Sequence, residues 1–151
     1  MAVLEEATSR ETLLPPPEGA LLDRIDSRRA VVGVVGLGYV GLPLLLTFAE
    51  RSFPVIGFDI DERKIEAIGR GESYLRHIDA GRIKAQLAGG DDRFVATADF
   101  QRASDADALL MCVPTPLTHA REPDLSYVEN TCRSIGPHLR HGQLVVLESS
   151  T

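Results

Sequence analysis

Three glycines in the stretch VVGVVGLGYVGLPL have the spacing of a phosphate-binding turn. Gly36, Gly38 and Gly41 form the pattern G-x-G-x-x-G, which directly follows an apolar run at residues 30–36. In such a turn the first glycine permits a tight bend, the second lets a pyrophosphate approach the backbone, and the third lets the next helix pack closely. The free N–H groups at that helix's N-terminus attract the anion. The pattern alone is weak, but its place between a strand and a helix predicts a dinucleotide site.

An acidic residue at the end of the next apolar run supplies the second half of this pattern. Asp59 closes the run PVIGFD and follows the glycines at the usual distance. A carboxylate there can accept hydrogen bonds from an adenosine ribose and would repel a 2′-phosphate, which predicts NAD rather than NADP. Arg63 and Lys64 nearby weaken that preference without reversing it. Alternatively, Asp59 only caps a helix that begins at Asp61.

Strand-like and helix-like segments alternate along the chain and would position these residues. Apolar runs predict strands at 30–36, 54–59, 93–99, 108–113 and 144–149. Helical patterns lie at 20–30, 40–51, 61–69, 79–88, 99–105 and 126–136. Runs that are apolar throughout are typical of parallel strands covered on both faces. The alternation predicts an α/β fold, a Rossmann-type doubly wound parallel sheet with strand order 3-2-1-4-5, truncated before a sixth strand.

Length and composition fit one globular domain. The 151 residues are 44% hydrophobic and 25% charged, with a net charge of −6, which argues against a nucleic-acid partner. No apolar run is long enough to span a membrane, and the acidic N-terminus does not look like a signal peptide, so a cytoplasmic location is expected. Residues 1–19 are expected to form a flexible arm, and residues 20–151 the NAD-binding Rossmann domain.

Four ordered motifs resemble the N-terminal domain of the UDP-glucose/GDP-mannose dehydrogenase family. They are VVGVVGLGYVGLPL, VIGFDIDERKI, LLMCVPTPL and EPDLSYV. The resemblance implies an enzyme that oxidises the C6 alcohol of a nucleotide sugar to a carboxylate in two steps with two NAD. It also implies a homodimer at full length, with central and C-terminal substrate domains that are expected to be absent here. The loop CVPTPLTHAREPDLSYV resembles the branch that acts on UDP-N-acetylhexosamines.

The resemblance assigns cofactor contacts to residues of three motifs. The three glycines would hold the pyrophosphate, and Tyr39 and Val40 would line the turn beside the nicotinamide half. Asp59 and Lys64 would bind the adenosine ribose. Thr115 would contact the cofactor beyond the fourth strand. Independently of the resemblance, the prolines on both sides of Thr115 predict a stiff loop at the carboxyl edge of the sheet, where ligands of such folds bind.

Catalytic residues are harder to assign. Ser150 matches a family threonine whose hydroxyl helps to position substrate and a catalytic water. The family's nucleophilic cysteine lies in a second domain, and neither Cys112, in a predicted buried strand, nor Cys132, in mid-helix, is expected to replace it. No metal site is predicted. Two alternatives stay open: a non-catalytic module that binds NAD, and another Rossmann oxidoreductase such as a hydroxyacid dehydrogenase.

Overall fold

The computed structural model describes residues 19–90 and 92–148. These residues contain five short parallel strands, which are β1 (Val32–Val35), β2 (Val55–Phe58), β3 (Phe94–Thr97), β4 (Ala108–Met111) and β5 (Leu144–Leu147). They form one sheet in the order β3-β2-β1-β4-β5. The predicted α/β class and the predicted strand order are both confirmed.

Helices connect the strands. They are α1 (Gly19–Asp26), α2 (Gly41–Glu50), α3 (Glu62–Gly69), α4 (Ala80–Leu87) and α5 (Ser126–Ile135). Two short 3-10 helices, at Phe100–Asp105 and Gly136–His138, complete the set for the described residues. The helical pattern at 99–105 therefore forms the tighter 3-10 type. Aspartates cap three of these helices, because the side chains of Asp61, Asp79 and Asp99 each accept the backbone N–H two residues further on.

Apolar side chains cover both faces of the sheet, as the uninterrupted runs predict. On one face Val34 packs with leucines of α2 and with isoleucines of α3 and α4. On the other face Val35, Phe58 and Leu109 pack with Ile135 of α5 and with the first 3-10 helix. Strand β1 is the middle strand of the sheet and contributes buried side chains to both layers, so it lies at the centre of the domain.

Strand β5 differs from the inner strands. Its Leu144, Val145 and Leu147 remain 45%, 42% and 41% exposed. This strand is an edge of the sheet, and nothing in the described part of the chain covers its outer side, so its apolar composition is not matched by burial there. No helix within 19–90 or 92–148 is long and apolar enough to cross a membrane. The predicted arm, apart from Gly19, and Ser150 lie outside the described residues.

Candidate dinucleotide site

A cavity of about 710 Å³ lies where the carboxyl ends of β1, β2 and β4 meet. Its volume falls in the usual range for cofactor and ligand sites. The glycine turn after β1, the end of β2, the loop after β4 and one side of α5 form its walls. Seven of the eight predicted cofactor residues line it, namely Gly36, Gly38, Tyr39, Val40, Asp59, Lys64 and Thr115. Gly41 does not line the cavity, so its position agrees with the predicted packing role and does not bring it to the pyrophosphate as the resemblance implied.

Two of the three motif glycines are required by the fold itself. Gly36 has a φ of +91°, which other residues rarely adopt, and a Cβ there would lie 2.7 Å from the carbonyl oxygen of Cys112. A Cβ on Gly41 would lie only 1.6 Å from the carbonyl oxygen of Gly36. Any side chain at either position would therefore force the turn away from the sheet or away from α2.

Gly38 has no such internal reason to be glycine. Its φ lies outside the left-handed region, and a Cβ would meet no atom within 4 Å. The backbone N–H groups of Gly38, Tyr39 and Val40 find no acceptor within the described residues. They lie next to the N-terminus of α2, where the helix dipole favours negative charge. Open space, free donors and a helix N-terminus are together what a pyrophosphate needs, so this turn fits NAD.

Asp59 connects the end of β2 to the glycine turn. Its side chain is buried, and its two oxygens accept the N–H groups of Leu37 and Asp61, each at 2.9 Å. Lys64 Nζ lies 3.3 Å from the oxygen that Leu37 also contacts. The cap of α3 is Asp61 and not Asp59, so capping alone does not explain this carboxylate. Because a carboxylate offers about four acceptor positions and three donors already occupy it, Asp59 retains capacity for one further donor, such as a ribose hydroxyl.

The loop after β4 brings Thr115 to the same cavity, which Cys112 and Glu148 also line. Burial, together with the negative charge of Glu148, raises the pKa of the Cys112 thiol to about 11. A thiol with this pKa stays protonated near neutral pH and is a poor nucleophile. Cys112 follows β4 and is only half-buried, so its predicted place in a buried strand is wrong, but its raised pKa supports the expectation that the thiol is inert. Ser150, the predicted catalytic residue, lies outside the described residues.

Apolar side chains at the mouth of the cavity were not predicted from the motifs, with the exception of Tyr39 and Val40. Ile60 is 80% exposed, Tyr39 is 75% exposed and Val40 is 59% exposed. The ring of Phe100 also lines the cavity and stacks on Phe58. Large apolar groups exposed around a pocket mark a binding surface. A signal for Ile60 was present, because it is the single apolar residue in the polar segment DIDERK that follows β2.

Comparison with known proteins identifies the family of this chain. The model of the NAD binding domain of the UDP-glucose/GDP-mannose dehydrogenase family matches residues 30–151. The UDP-N-acetyl-D-mannosamine dehydrogenase of Escherichia coli K12 is 43% identical over 127 residues, which are 81% of this chain and 28% of that protein. The NDP-N-acetyl-D-galactosaminuronic acid dehydrogenase of Ralstonia nicotianae is 40% identical over 132 residues, or 86% of this chain and 30% of that protein. Both relatives confirm the predicted resemblance to the acetamido-sugar branch.

A comparison with solved structures indicates the same family. A ternary complex of GDP-mannose dehydrogenase from Pseudomonas aeruginosa superposes with a TM-score of 0.74 at 31% identity, over 80% of this chain and 28% of that one. The present chain thus spans less than a third of the length of these relatives. The match over four fifths of the sequence favours this family over the hydroxyacid dehydrogenases. The chain therefore belongs to the UDP-glucose/GDP-mannose dehydrogenase family, of which it carries the NAD-binding domain.

Proposed function

We propose that this chain is the cofactor-binding part of an enzyme that oxidises the C6 alcohol of a UDP-N-acetylhexosamine to a carboxylate with two NAD. The open space at Gly38, beside unpaired N–H groups, is the observation that carries the cofactor site. The relatives' names and the loop after β4 support the sugar class. In this proposal residues 20–151 are the NAD-binding domain, residues 1–19 are an arm, and the complete enzyme is a cytoplasmic homodimer.

Each residue of the site has a defined task in this proposal. The N–H groups of Gly38 to Val40 bind the pyrophosphate, and Asp59, with Lys64 beside it, orients the adenosine ribose. Thr115 limits the cavity beyond β4, where the nicotinamide half would lie. When bound, NAD supplies a hydride acceptor. Oxidation of an aldehyde also needs a nucleophile, and a thiol that stays protonated, as at Cys112, is unsuited to that task. The resemblance to the family implies a cysteine of a second domain for this role.

Isothermal titration calorimetry with NAD and NADP tests the cofactor assignment. The chain should bind NAD in preference to NADP, because Asp59 would repel a 2′-phosphate. Gly38→Val should abolish binding and leave the fold intact, since its side chain would occupy space that the fold leaves open. Gly69→Val is the matched control, because Gly69 also has no neighbour within 4 Å of a Cβ and lies away from the cavity. Normal NAD binding by Gly38→Val would place the cofactor elsewhere.

Turnover tests the assignment of the reaction. The chain alone should produce no NADH from any UDP-sugar. Hydride transfer from the C6 alcohol needs the sugar held against the nicotinamide, a task of the substrate domains that the resemblance implies, and oxidation of the aldehyde also needs a nucleophile. Joined to the remaining two thirds of a family member, it should oxidise UDP-GlcNAc or UDP-ManNAc with a higher kcat/KM than UDP-glucose. A higher value for UDP-glucose would contradict the sugar class. Absence of activity in every such fusion, with NAD binding retained, would instead support the non-catalytic module.

A further inference from the structure

The segment between α3 and α4 contacts the glycine turn at two points. The Tyr74 hydroxyl donates a hydrogen bond to the backbone carbonyl of Leu37 at 2.5 Å. The His77 ring stacks on that of Tyr39, with ring centroids 4.4 Å apart. None of the sequence motifs includes Tyr74 or His77. The turn that would bind pyrophosphate is therefore supported by a segment to which neither the motifs nor the family comparison assigns a role.

The side chain, the N–H and the carbonyl of Leu37 are all fixed by contacts, and these contacts set the orientation of the peptide group that follows. Its side chain is fully buried, its N–H donates to Asp59, and its carbonyl accepts from Tyr74. The described chain contains no cis peptide bond, so the Leu37 carbonyl and the Gly38 N–H belong to one trans peptide and point in opposite directions. A hydrogen bond that holds the carbonyl toward Tyr74 thereby turns the Gly38 N–H to the other side.

The two sides of this peptide have different surroundings. Gly38 lines the dinucleotide cavity, whereas Tyr74 lies outside it. Because the Gly38 N–H has no acceptor within the described residues, it is available to a ligand in the cavity. We propose that Tyr74 is a positioning residue, whose hydroxyl aims the Gly38 N–H at the pyrophosphate of the cofactor. This inference rests on the proposed function of the glycine turn.

The surroundings of Tyr74 suit this task. Burial, with the carboxylates of Asp59 and Asp61, raises the pKa of Tyr74 above its ordinary value of 10.0, so the hydroxyl keeps the proton it donates. The ring packs against the core, and Lys64 Nζ lies 5.8 Å from its centroid. Tyr74→Phe preserves the ring and both of these contacts. The substitution therefore removes the hydroxyl bond to Leu37 and little else.

Binding of NAD, ADP-ribose and adenosine to the full chain and to Tyr74→Phe tests the inference. Tyr74→Phe should weaken NAD and ADP-ribose by roughly 3- to 10-fold, the range expected for one neutral hydrogen bond. Adenosine, which has no pyrophosphate, should bind both proteins equally. In ¹H–¹⁵N spectra the Gly38 amide of the unmodified chain should shift downfield when ADP-ribose binds, and this shift should be smaller in Tyr74→Phe.

The outcomes separate this inference from the proposed function. If Gly38→Val abolishes NAD binding while Tyr74→Phe binds ADP-ribose as the unmodified chain does, the positioning role of Tyr74 is wrong. The assignment of the cofactor site to the glycine turn is then still supported. Equal weakening of adenosine and ADP-ribose by Tyr74→Phe would mean a merely structural role, and it would also overturn the inference. If the unmodified chain binds neither NAD nor ADP-ribose, the assignment of the cofactor site is wrong, and so is the positioning role of Tyr74 that rests on it.

Discussion

Two buried aspartates lie at opposite ends of β1, and each accepts a backbone N–H from a residue that flanks this strand. Asp59, at the carboxyl end, accepts the N–H of Leu37, and Asp107, at the amino end, accepts that of Val31 at 2.8 Å. They are 7% and 6% exposed. Two acids with the same chemistry and the same burial thus fix the two ends of one strand.

Their remaining partners are different. Asp107 is neutralised by Arg24 of α1 at 2.8 Å and by Arg140, which precedes β5, at 2.9 Å. Asp107 does not line the dinucleotide cavity, and it ties two distant chain segments to the sheet. Asp59 has a single, longer contact with a cation, Lys64, and borders the dinucleotide cavity. A buried carboxylate with saturated partners stabilises the fold, whereas one with spare acceptor capacity beside open space can bind a ligand.

The largest expected effect is a loss of folding stability when Asp107 is replaced. In Asp107→Asn the new NH₂ group would face the guanidinium of Arg24 or Arg140, and the negative charge would be lost. Because both arginines are 45% exposed, solvent screens part of the loss, and the free energy of unfolding should fall by about 2 kcal/mol. Urea unfolding measures this effect. NAD affinity should change less than about two-fold, and a parallel loss of NAD binding at 25 °C would contradict the division of roles.

The matched substitution at the other end should lower cofactor affinity, which Asp107→Asn leaves nearly unchanged. Asp59→Asn keeps an oxygen for one of its two backbone partners and loses the charged acceptor for ribose. NAD affinity should fall by roughly ten-fold, which corresponds to about 1.4 kcal/mol. Discrimination against NADP should also weaken, because the repulsion of a 2′-phosphate is removed. Calorimetry on both asparagine variants checks the pair, and equal NAD affinities in the two would contradict the assignment of Asp59.

The role of Asp59 could be predicted from the sequence, whereas that of Asp107 could not. Asp59 belongs to a pattern of glycine turn and strand end that lies within 24 consecutive residues (36–59). The partners of Asp107 lie 83, 76 and 33 positions away, so only the folded chain brings them together. For the same reason the contact of Tyr74 with Leu37, 37 positions apart, could not be predicted, whereas the strand order could, since it follows from local alternation and crossover handedness.

The pH dependence of stability tests the structural role of Asp107 further. Burial by itself raises the pKa of Asp107, but the Val31 N–H and the guanidinium groups of Arg140 and Arg24 outweigh it, so the pKa lies below the ordinary value of 3.8. A carboxyl with a lowered folded pKa contributes stability above its unfolded pKa, and this contribution disappears as the pH falls through the folded value.

The unmodified chain should therefore be more stable than Asp107→Asn above about pH 4, and the difference should shrink as the pH falls below that value. Thermal unfolding of both proteins in steps between about pH 6 and pH 2 measures it. A difference that stays constant through this range would show that the charge of Asp107 contributes nothing. In that case the hydrogen bond to Val31 alone would explain its burial.

The smallest expected effect concerns the cation beside Asp59. Lys64 is 32% exposed and lies 3.3 Å from the carboxylate, a geometry in which ion pairs contribute about 0.5 kcal/mol. Lys64→Met keeps most of the aliphatic length but removes the charge, so NAD affinity should fall only about two- to three-fold. The effect should shrink as salt is added, because the screening length falls from about 10 Å at 0.1 M to about 3 Å at 1 M. Calorimetry at both salt concentrations tests this. A loss that equals that of Asp59→Asn and is insensitive to salt would mean that Lys64, rather than Asp59, carries the recognition of the ribose.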